Sequence, residues 1–499
     1  MGDVGHEPAA PRRDVRLAAL FGVSEAGRAL RDFATYLPTQ ALPAIAAAVS
    51  LPVLARRLFP TEIGVLAIAQ NLITLGWTVV GSWLAVTIIR ELPAHRARGK
   101  LGAFERTLRR AFGLSLLNFC CFLGLMGIAA IFGSSISSNF LLIAAAVAGF
   151  FFQYIAVSLF AASLRPRAYA FVEICARVGG IALGIALVLR GHGVQGYLTG
   201  LAAVSLSLGL GALWFAWPRV DRRETRDTHE LGTWVRYGVP ASAAAVMLWG
   251  LNFVDRYILA VLRDTSAAGV YTIGNIIGDR LVMVPMFAFG LASTPLLVHA
   301  FERHGRIEVE RLMRAYARIV LLAGLPCIAF AWAAGGALVT LITGYNYIFY
   351  SEAAPVAPIV ATGSLMFALA SLASTGLIIA KHTPSMIVAG AAGFVANVVA
   401  NLALIPPLGV KGAAIATPIG MGVYLTVSYT LARRHATWRF PYGTLVRAAV
   451  AAALGYVAAV EAVPDGLYQG WKILLYAVIG LATYLTVLVV LGERRSTDA

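Results

Sequence analysis

Charge is what this sequence has least of. Asp, Glu, Lys and Arg together make up 13% of the chain, against 59% apolar residues and a mean hydropathy of +0.78. Soluble domains carry about a quarter charged residues, so this composition excludes one. Cysteine is also scarce: Cys120, Cys121, Cys175 and Cys327 all lie in apolar stretches without metal-ligand spacing, and read as small packing residues. His95, His192, His304, His382 and His435 fall in the polar breaks between apolar runs, which read as loops, and form no metal-spaced cluster, so no metal centre is expected. No Gly-x-x-x-x-Gly-Lys-Ser/Thr occurs, and the polar segments between apolar stretches are too short for a nucleotide-binding or glycosyltransferase domain. An enzyme with a bound cofactor is therefore not expected.

What is present is a succession of apolar runs. Fourteen can be parsed, from 36–59 to 473–491, and most exceed the ~20 residues that cross about 30 Å of hydrocarbon; the thirteenth, 448–463, is short. The chain reads as an all-α polytopic membrane protein. Its basic residues alternate by side. Of 40 Lys and Arg, six lie in the odd-numbered loops (Arg56, Arg57, Arg190, Arg263, Lys411 and Lys472), and three fall within spans (Arg177, Arg256 and Arg280). The rest lie in the even-numbered loops and both tails, which predicts that both termini are cytoplasmic. The same distribution accounts for a net charge of +16 through topology and anionic lipid headgroups rather than nucleic acid. Residues 1–32 carry Arg12, Arg13, Arg16, Arg28 and Arg31 around a short apolar patch, the pattern of an amphipathic helix on the inner leaflet.

Two stretches about 205 positions apart repeat one another: Ala55-Arg-Arg-Leu-Phe-Pro-Thr-Glu-Ile-Gly64-Val-Leu-Ala-Ile68 and Ala260-Val-Leu-Arg-Asp-Thr-Ser-Ala-Ala-Gly269-Val-Tyr-Thr-Ile273. Each closes the first span of a six-span block and opens the next with glycine. A parallel duplication predicts two six-helix lobes with a substrate path between them. The expected organisation is a lead-in (1–32), an N lobe (33–217), a linker (218–236), a C lobe (237–434), two further helices (435–492) and a tail (493–499).

At these residues the sequence resembles the polysaccharide flippases of the multidrug/oligosaccharidyl-lipid/polysaccharide exporter superfamily. Leu51-Pro-Val-Leu-Ala-Arg-Arg-Leu-Phe-Pro-Thr-Glu-Ile-Gly64 is similar to that family's opening motif, and Tyr237-Gly-Val-Pro240 with Leu251-Asn-Phe-Val-Asp-Arg256 to its seventh span. Lys381-His-Thr-Pro384, Asn397, Asn401, Ile405-Pro406 and Gly409-Val-Lys-Gly-Ala-Ala-Ile-Ala-Thr417 are similar to its eleventh and twelfth. The resemblance implies a V-shaped exporter fold in the bacterial inner membrane. It also implies flipping of polyprenyl-pyrophosphate-linked oligosaccharide from the inner to the outer leaflet for exopolysaccharide, capsule or O-antigen assembly, with a polymerase and export machinery as partners. A sister exporter, either a drug/cation antiporter or a peptidoglycan-precursor flippase, is the alternative. A membrane polymerase or acyltransferase is the third reading.

Ionised side chains inside a membrane are costly, so the few present are candidate functional groups. Glu173 and Arg177 stand at i and i+4 on the fifth span, as a self-neutralising pair or as a site. Asp255 and Arg256 lie on the seventh span, Asp279 and Arg280 on the eighth. Helix neighbours point about 100° apart, so each pair requires other partners, either each other across the helices or a ligand. Guanidinium groups grip phosphate oxygens bidentately, which makes Arg57, Arg177, Arg256 and Arg280 the candidate substrate-binding residues. Asp255, Asp279 and Glu173 are the candidates for proton or sodium coupling. Tyr345, Tyr347, Phe349 and Tyr350 fit an interfacial belt, with stacking against sugar rings as the alternative.

Overall fold

The computed structural model describes residue 39 and residues 42–132, 137–218, 230–379, 383–433, 439–464 and 466–493. The expected lead-in helix, most of the linker and the tail lie outside the described residues. Long apolar runs have no water to satisfy their backbone, and the described chain answers as membrane segments must, with helix throughout.

The helices are α1 (42–57), α2 (Pro60–Ala97), α3 (Leu101–Phe132), α4 (Phe140–Ala162), α5 (Pro166–Leu187), α6 (Gly193–Ala216) and α7 (Leu231–Leu262). Then come α8 and α9, which share Thr265–Thr343 and part at Gly305, α10 (Ala353–Ile379), α11 (Thr383–Leu408), α12 (Val410–Ala432), α13 (Tyr442–Ala462) and α14 (Gln469–Val490). Gly305 holds a φ of 74°, a conformation that costs glycine little, and so ends α8. Among the described residues, eleven helical stretches are long and apolar enough to cross a membrane, and one of these, Pro166–Ala216, is the α5–α6 pair. With α1 and α8, described over less of their apolar length, they make up the fourteen expected spans.

The two lobes pack by one plan. In the N lobe α2 packs on α4, α4 on α6 and α6 on α5; in the C lobe α8 packs on α10, α10 on α12 and α12 on α11. The pair α13–α14 lies outside both and packs on α9 through Leu322, Leu325 and Ala329. An apolar cavity of about 350 Å³ opens between these three helices.

The repeat explains how the lobes meet. Helix α2 starts with Pro60 at its first turn, where the missing N–H is no loss, and Glu62 accepts from the Phe59 N–H at 2.9 Å. Helix α8 starts at Asp264, whose Oδ1 accepts from the Ala267 N–H at 2.7 Å. These two starts cross at the arginine-poor face. A Cβ on Gly64 would strike the Thr265 carbonyl, and one on Gly269 would strike the Pro60 carbonyl. The glycines of the repeat are thus the points of closest approach between lobes.

A second seam runs the length of α2 and α7. Tyr257 donates to the Ile68 carbonyl at 3.2 Å, Trp249 Nε1 to the Asn71 carbonyl at 3.2 Å, and the hydroxyls of Ser82 and Ser242 are 2.5 Å apart. At the arginine-rich face His95 Nε2 lies 2.5 Å from Glu230 Oε2.

Candidate functional site

One face of α7 turns Leu251, Asp255 and Leu259 into the C lobe at helical i+4 spacing. Asp255, only 1% exposed, gathers neutral donors from three other helices. Asn401 Nδ2 on α11 donates to Oδ1 at 2.7 Å, while the hydroxyls of Tyr271 on α8 and Thr417 on α12 donate to Oδ2 at 2.7 and 3.1 Å. A lone carboxylate in apolar surroundings is stable only when hydrogen bonds replace its hydration, and three such bonds do so here. Asn401 also donates to the Asn397 carbonyl at 2.9 Å, and its own Oδ1 is buried without a partner.

Arg256, 4% exposed, turns the other way. Its Nη2 donates to Asn275 Oδ1 at 2.5 Å and its Nη1 to the Asn252 carbonyl at 3.1 Å, with the guanidinium 5.5 Å from the ring centres of Phe253 and Tyr271. On α8, Asp279 Oδ1 accepts from Ser364 of α10 at 3.0 Å. Among the described residues no ion pair joins Asp255, Arg256, Asp279 and Arg280. The C-lobe charges are therefore separated and individually satisfied, apart from Arg280, which is exposed.

The direction of Arg280 follows from the helix. It stands eleven residues beyond Gly269, about three turns and ~16 Å along α8, so it shares the face that meets α2. An exposed guanidinium within a membrane span is stable where it faces water rather than lipid.

In the N lobe, Arg177 Nη2 lies 2.6 Å from Glu173 Oε1 and donates to the Tyr154 hydroxyl at 2.8 Å, while Gln153 Nε2 donates to Glu173 Oε2 at 3.3 Å. The Tyr154 ring stacks on Trp77 of α2 with centres 4.2 Å apart. Glu173 and Arg177 do pair, but within a larger group drawn from α2, α4 and α5. The remaining candidate, Arg57, is exposed at the end of α1, more than a hundred residues before the other six in sequence. Its neighbour Arg56 donates to the Leu341 and Ile342 carbonyls at 2.7 and 3.2 Å and so caps the last turn of α9.

The structure therefore sorts the seven candidates into a C-lobe centre, a N-lobe centre and a surface residue. The partners Tyr271, Asn275, Asn401, Thr417, Trp77 and Tyr154 escaped the charge-based search because they are neutral. Asn397 and Asn401, an i and i+4 amide pair in an apolar span, carried a signal of the same kind as Glu173 and Arg177.

The model of a family described as "Polysaccharide biosynthesis protein" matches residues 29–301, more than half of the chain. The chain belongs to that family. No curated protein matches it by sequence. Among solved structures, the lipid II flippase MurJ in an inward closed conformation aligns with a TM-score of 0.72 at 13% identity, over 91% of this chain and 99% of that one. An inward-facing multidrug resistance transporter of the MATE family, in the MOP superfamily, aligns with a TM-score of 0.62 at 16% identity, over 79% and 94%. A MOP superfamily transporter from Pyrococcus furiosus aligns with a TM-score of 0.57 at 14% identity, over 81% and 94%. At these identities the likeness is one of fold: this polysaccharide biosynthesis family member has the MOP transporter architecture.

Proposed function

We propose that this protein is a flippase, not an enzyme. It carries polyprenyl-pyrophosphate-linked oligosaccharide from the inner to the outer leaflet of the bacterial inner membrane, for exopolysaccharide, capsule or O-antigen assembly. The single observation that carries the reading is Arg280, an exposed guanidinium in helical register with Gly269, whose face of α8 meets α2. A pyrophosphate headgroup is the natural ligand for such a group in a hydrated cleft. Family membership and the MOP fold supply the setting.

In this reading the arginine-rich face is cytoplasmic with both termini, and the lobes span 33–217 and 237–434 on either side of a linker at 218–236. Arg256 holds the C-lobe centre from which Arg280 projects, Arg177 meets the substrate in the N lobe, and Arg57 guides the headgroup out. Asp255 is the coupling carboxylate, for proton or sodium, with the unpartnered Asn401 Oδ1 beside it; Asp279 and Glu173 are secondary. Polymerase and export machinery would receive the product. A cation antiporter fits less well, because the exposed charge between the lobes is positive.

The test is leaflet exchange of a fluorescent undecaprenyl-pyrophosphate oligosaccharide in proteoliposomes. Exchange should occur with the wild type and be lost in Arg280→Ala while the variant keeps its thermal melt. Absence of exchange by the wild type, or full exchange by Arg280→Ala, refutes the assignment.

A further inference from the structure

Within the apolar runs of its spans, the N lobe carries two charged side chains, Glu173 and Arg177. A structural ion pair would need nothing more, yet three helices contribute to this group. Gln153, which is buried, and Arg177 both reach the Glu173 carboxylate, and the Tyr154 hydroxyl, held by Arg177, ties that polar group to the stacked rings of Trp77 and Tyr154. We propose that this cluster is a sugar-binding subsite that takes one neutral pyranose of the glycan, while Arg280 in the other lobe takes the phosphate. The proposal rests on the flippase reading.

The chemistry of the group selects the ligand. A pyranose offers an apolar face of C–H bonds and an edge of vicinal hydroxyls, each both donor and acceptor. Aromatic rings match the first, and planar carboxylate, amide and guanidinium groups match the second. All of these stand within one cluster here, with Trp77 and Tyr154 half-buried rather than sealed. Glu173 is 2% exposed at its side chain but Arg177 is 34% exposed, so the cluster opens at the guanidinium. Inside a membrane that opening meets water, since lipid would leave the charge unsolvated. Arg177 carries five N–H donors, and its two partners leave several free for hydroxyls. The adjacent carboxylate repels a phosphate and the guanidinium repels a cation, which leaves a neutral polar ligand.

Calorimetric titration of the full chain in nanodiscs tests this with two kinds of probe. The first is a panel of methyl pyranosides, epimeric at each ring hydroxyl; the second is farnesyl pyrophosphate as a headgroup without sugar. At least one pyranoside should bind the wild type and lose roughly tenfold or more in affinity in Trp77→Leu and in Glu173→Gln, with farnesyl pyrophosphate unaffected by either. Trp77→Phe keeps a ring and should keep most of the pyranoside affinity, which separates loss of stacking from loss of fold. Arg280→Ala should show the converse, weak pyrophosphate and unchanged pyranoside. Farnesyl pyrophosphate binding with no pyranoside bound, or pyranosides bound equally by wild type and both variants, overturns the subsite and leaves the flippase reading standing. Failure of both probes on the wild type overturns the two together.

Discussion

A step of 205 positions carries the second half of α7, and α8 after it, onto α1 and α2. Asp255 becomes Ser50, Arg256 becomes Leu51, Asn275 becomes Gln70, Asp279 becomes Thr74 and Arg280 becomes Leu75. The lobes share their helix order and their packing plan, yet the four C-lobe charges Asp255, Arg256, Asp279 and Arg280 all correspond to neutral positions in the N lobe. The N lobe instead keeps its ion pair on α5, where it is self-compensated at 2.6 Å. Duplication preserved what the backbone needs, the glycines and the helix starts, and let the polar chemistry diverge. Two lobes with one architecture can then hold different parts of one amphiphilic substrate.

The sharpest way to break this comparison is to remove the buried charge from one lobe and its counterpart from the other. Asp255→Ala removes the acceptor that Asn401, Tyr271 and Thr417 share, and leaves a buried polar cluster with weaker partners and a cavity. The expected cost is about 3 kcal/mol, seen as a large fall in Tm. Ser50→Ala removes a hydroxyl that donates to the Ala47 carbonyl at 2.8 Å, and should cost about 1 kcal/mol. Equal effects at the two positions would mean the lobes are not chemically distinct there.

The glycine pair tests the opposite claim, that the lobes are equivalent where the backbone meets. Gly64→Ala and Gly269→Ala each place a methyl against a carbonyl of the other lobe, Thr265 and Pro60 in turn. Each should cost about 2–3 kcal/mol by overpacking, and the two melts should shift together. A large effect at one and none at the other would show that the crossing is asymmetric.

The functional difference is narrower. Arg280→Ala should weaken farnesyl pyrophosphate binding by roughly tenfold or more, the value of a charge-assisted pair. Leu75→Arg in that background places a guanidinium at the repeat-related position on α2, and should recover part of the affinity if the two sites face one cleft. No recovery would confine headgroup recognition to the C lobe.

How much of this was legible in the sequence depends on the range of the interaction. Hydropathy is local, so the spans and their alternation could be read directly, and the repeat pointed to Gly64 and Gly269 before their contact was visible. The charged candidates were also visible, because an Asp or Arg in an apolar run is conspicuous. Their partners were not: Asp255 is satisfied by Tyr271, Asn401 and Thr417, the last two well over a hundred residues away, and a neutral amide or hydroxyl leaves little trace in a hydropathy profile. Arg56 and Arg57 were indistinguishable as neighbours. Only the position of the α9 C-terminus separates the one that caps a helix from the one that is exposed.

The smallest effect concerns the helices that belong to neither lobe. At the arginine-rich face, where α14 ends, Glu493 accepts from Thr444 at 2.8 Å, Arg318 at 2.6 Å and Arg447 at 3.0 Å, tying α14 to α13 and α9. Burial pushes the Glu493 carboxyl up, but the hydrogen bonds from Thr444, Arg318 and Arg447 outweigh it and hold the group below the usual glutamate range. A depressed folded value means that the contribution is complete above the ordinary glutamate pKa and is lost as pH falls through the lower, folded one. The melt should therefore be insensitive to this tie from pH 7 down to about 5, and lose about 1 kcal/mol below about pH 4. Glu493→Gln should remove that acid step while leaving the leaflet-exchange rate of the two lobes unchanged at pH 7. A fall in exchange with the tie cut would instead make α13 and α14 part of the moving machinery, and the comparison would then be between three bodies rather than two.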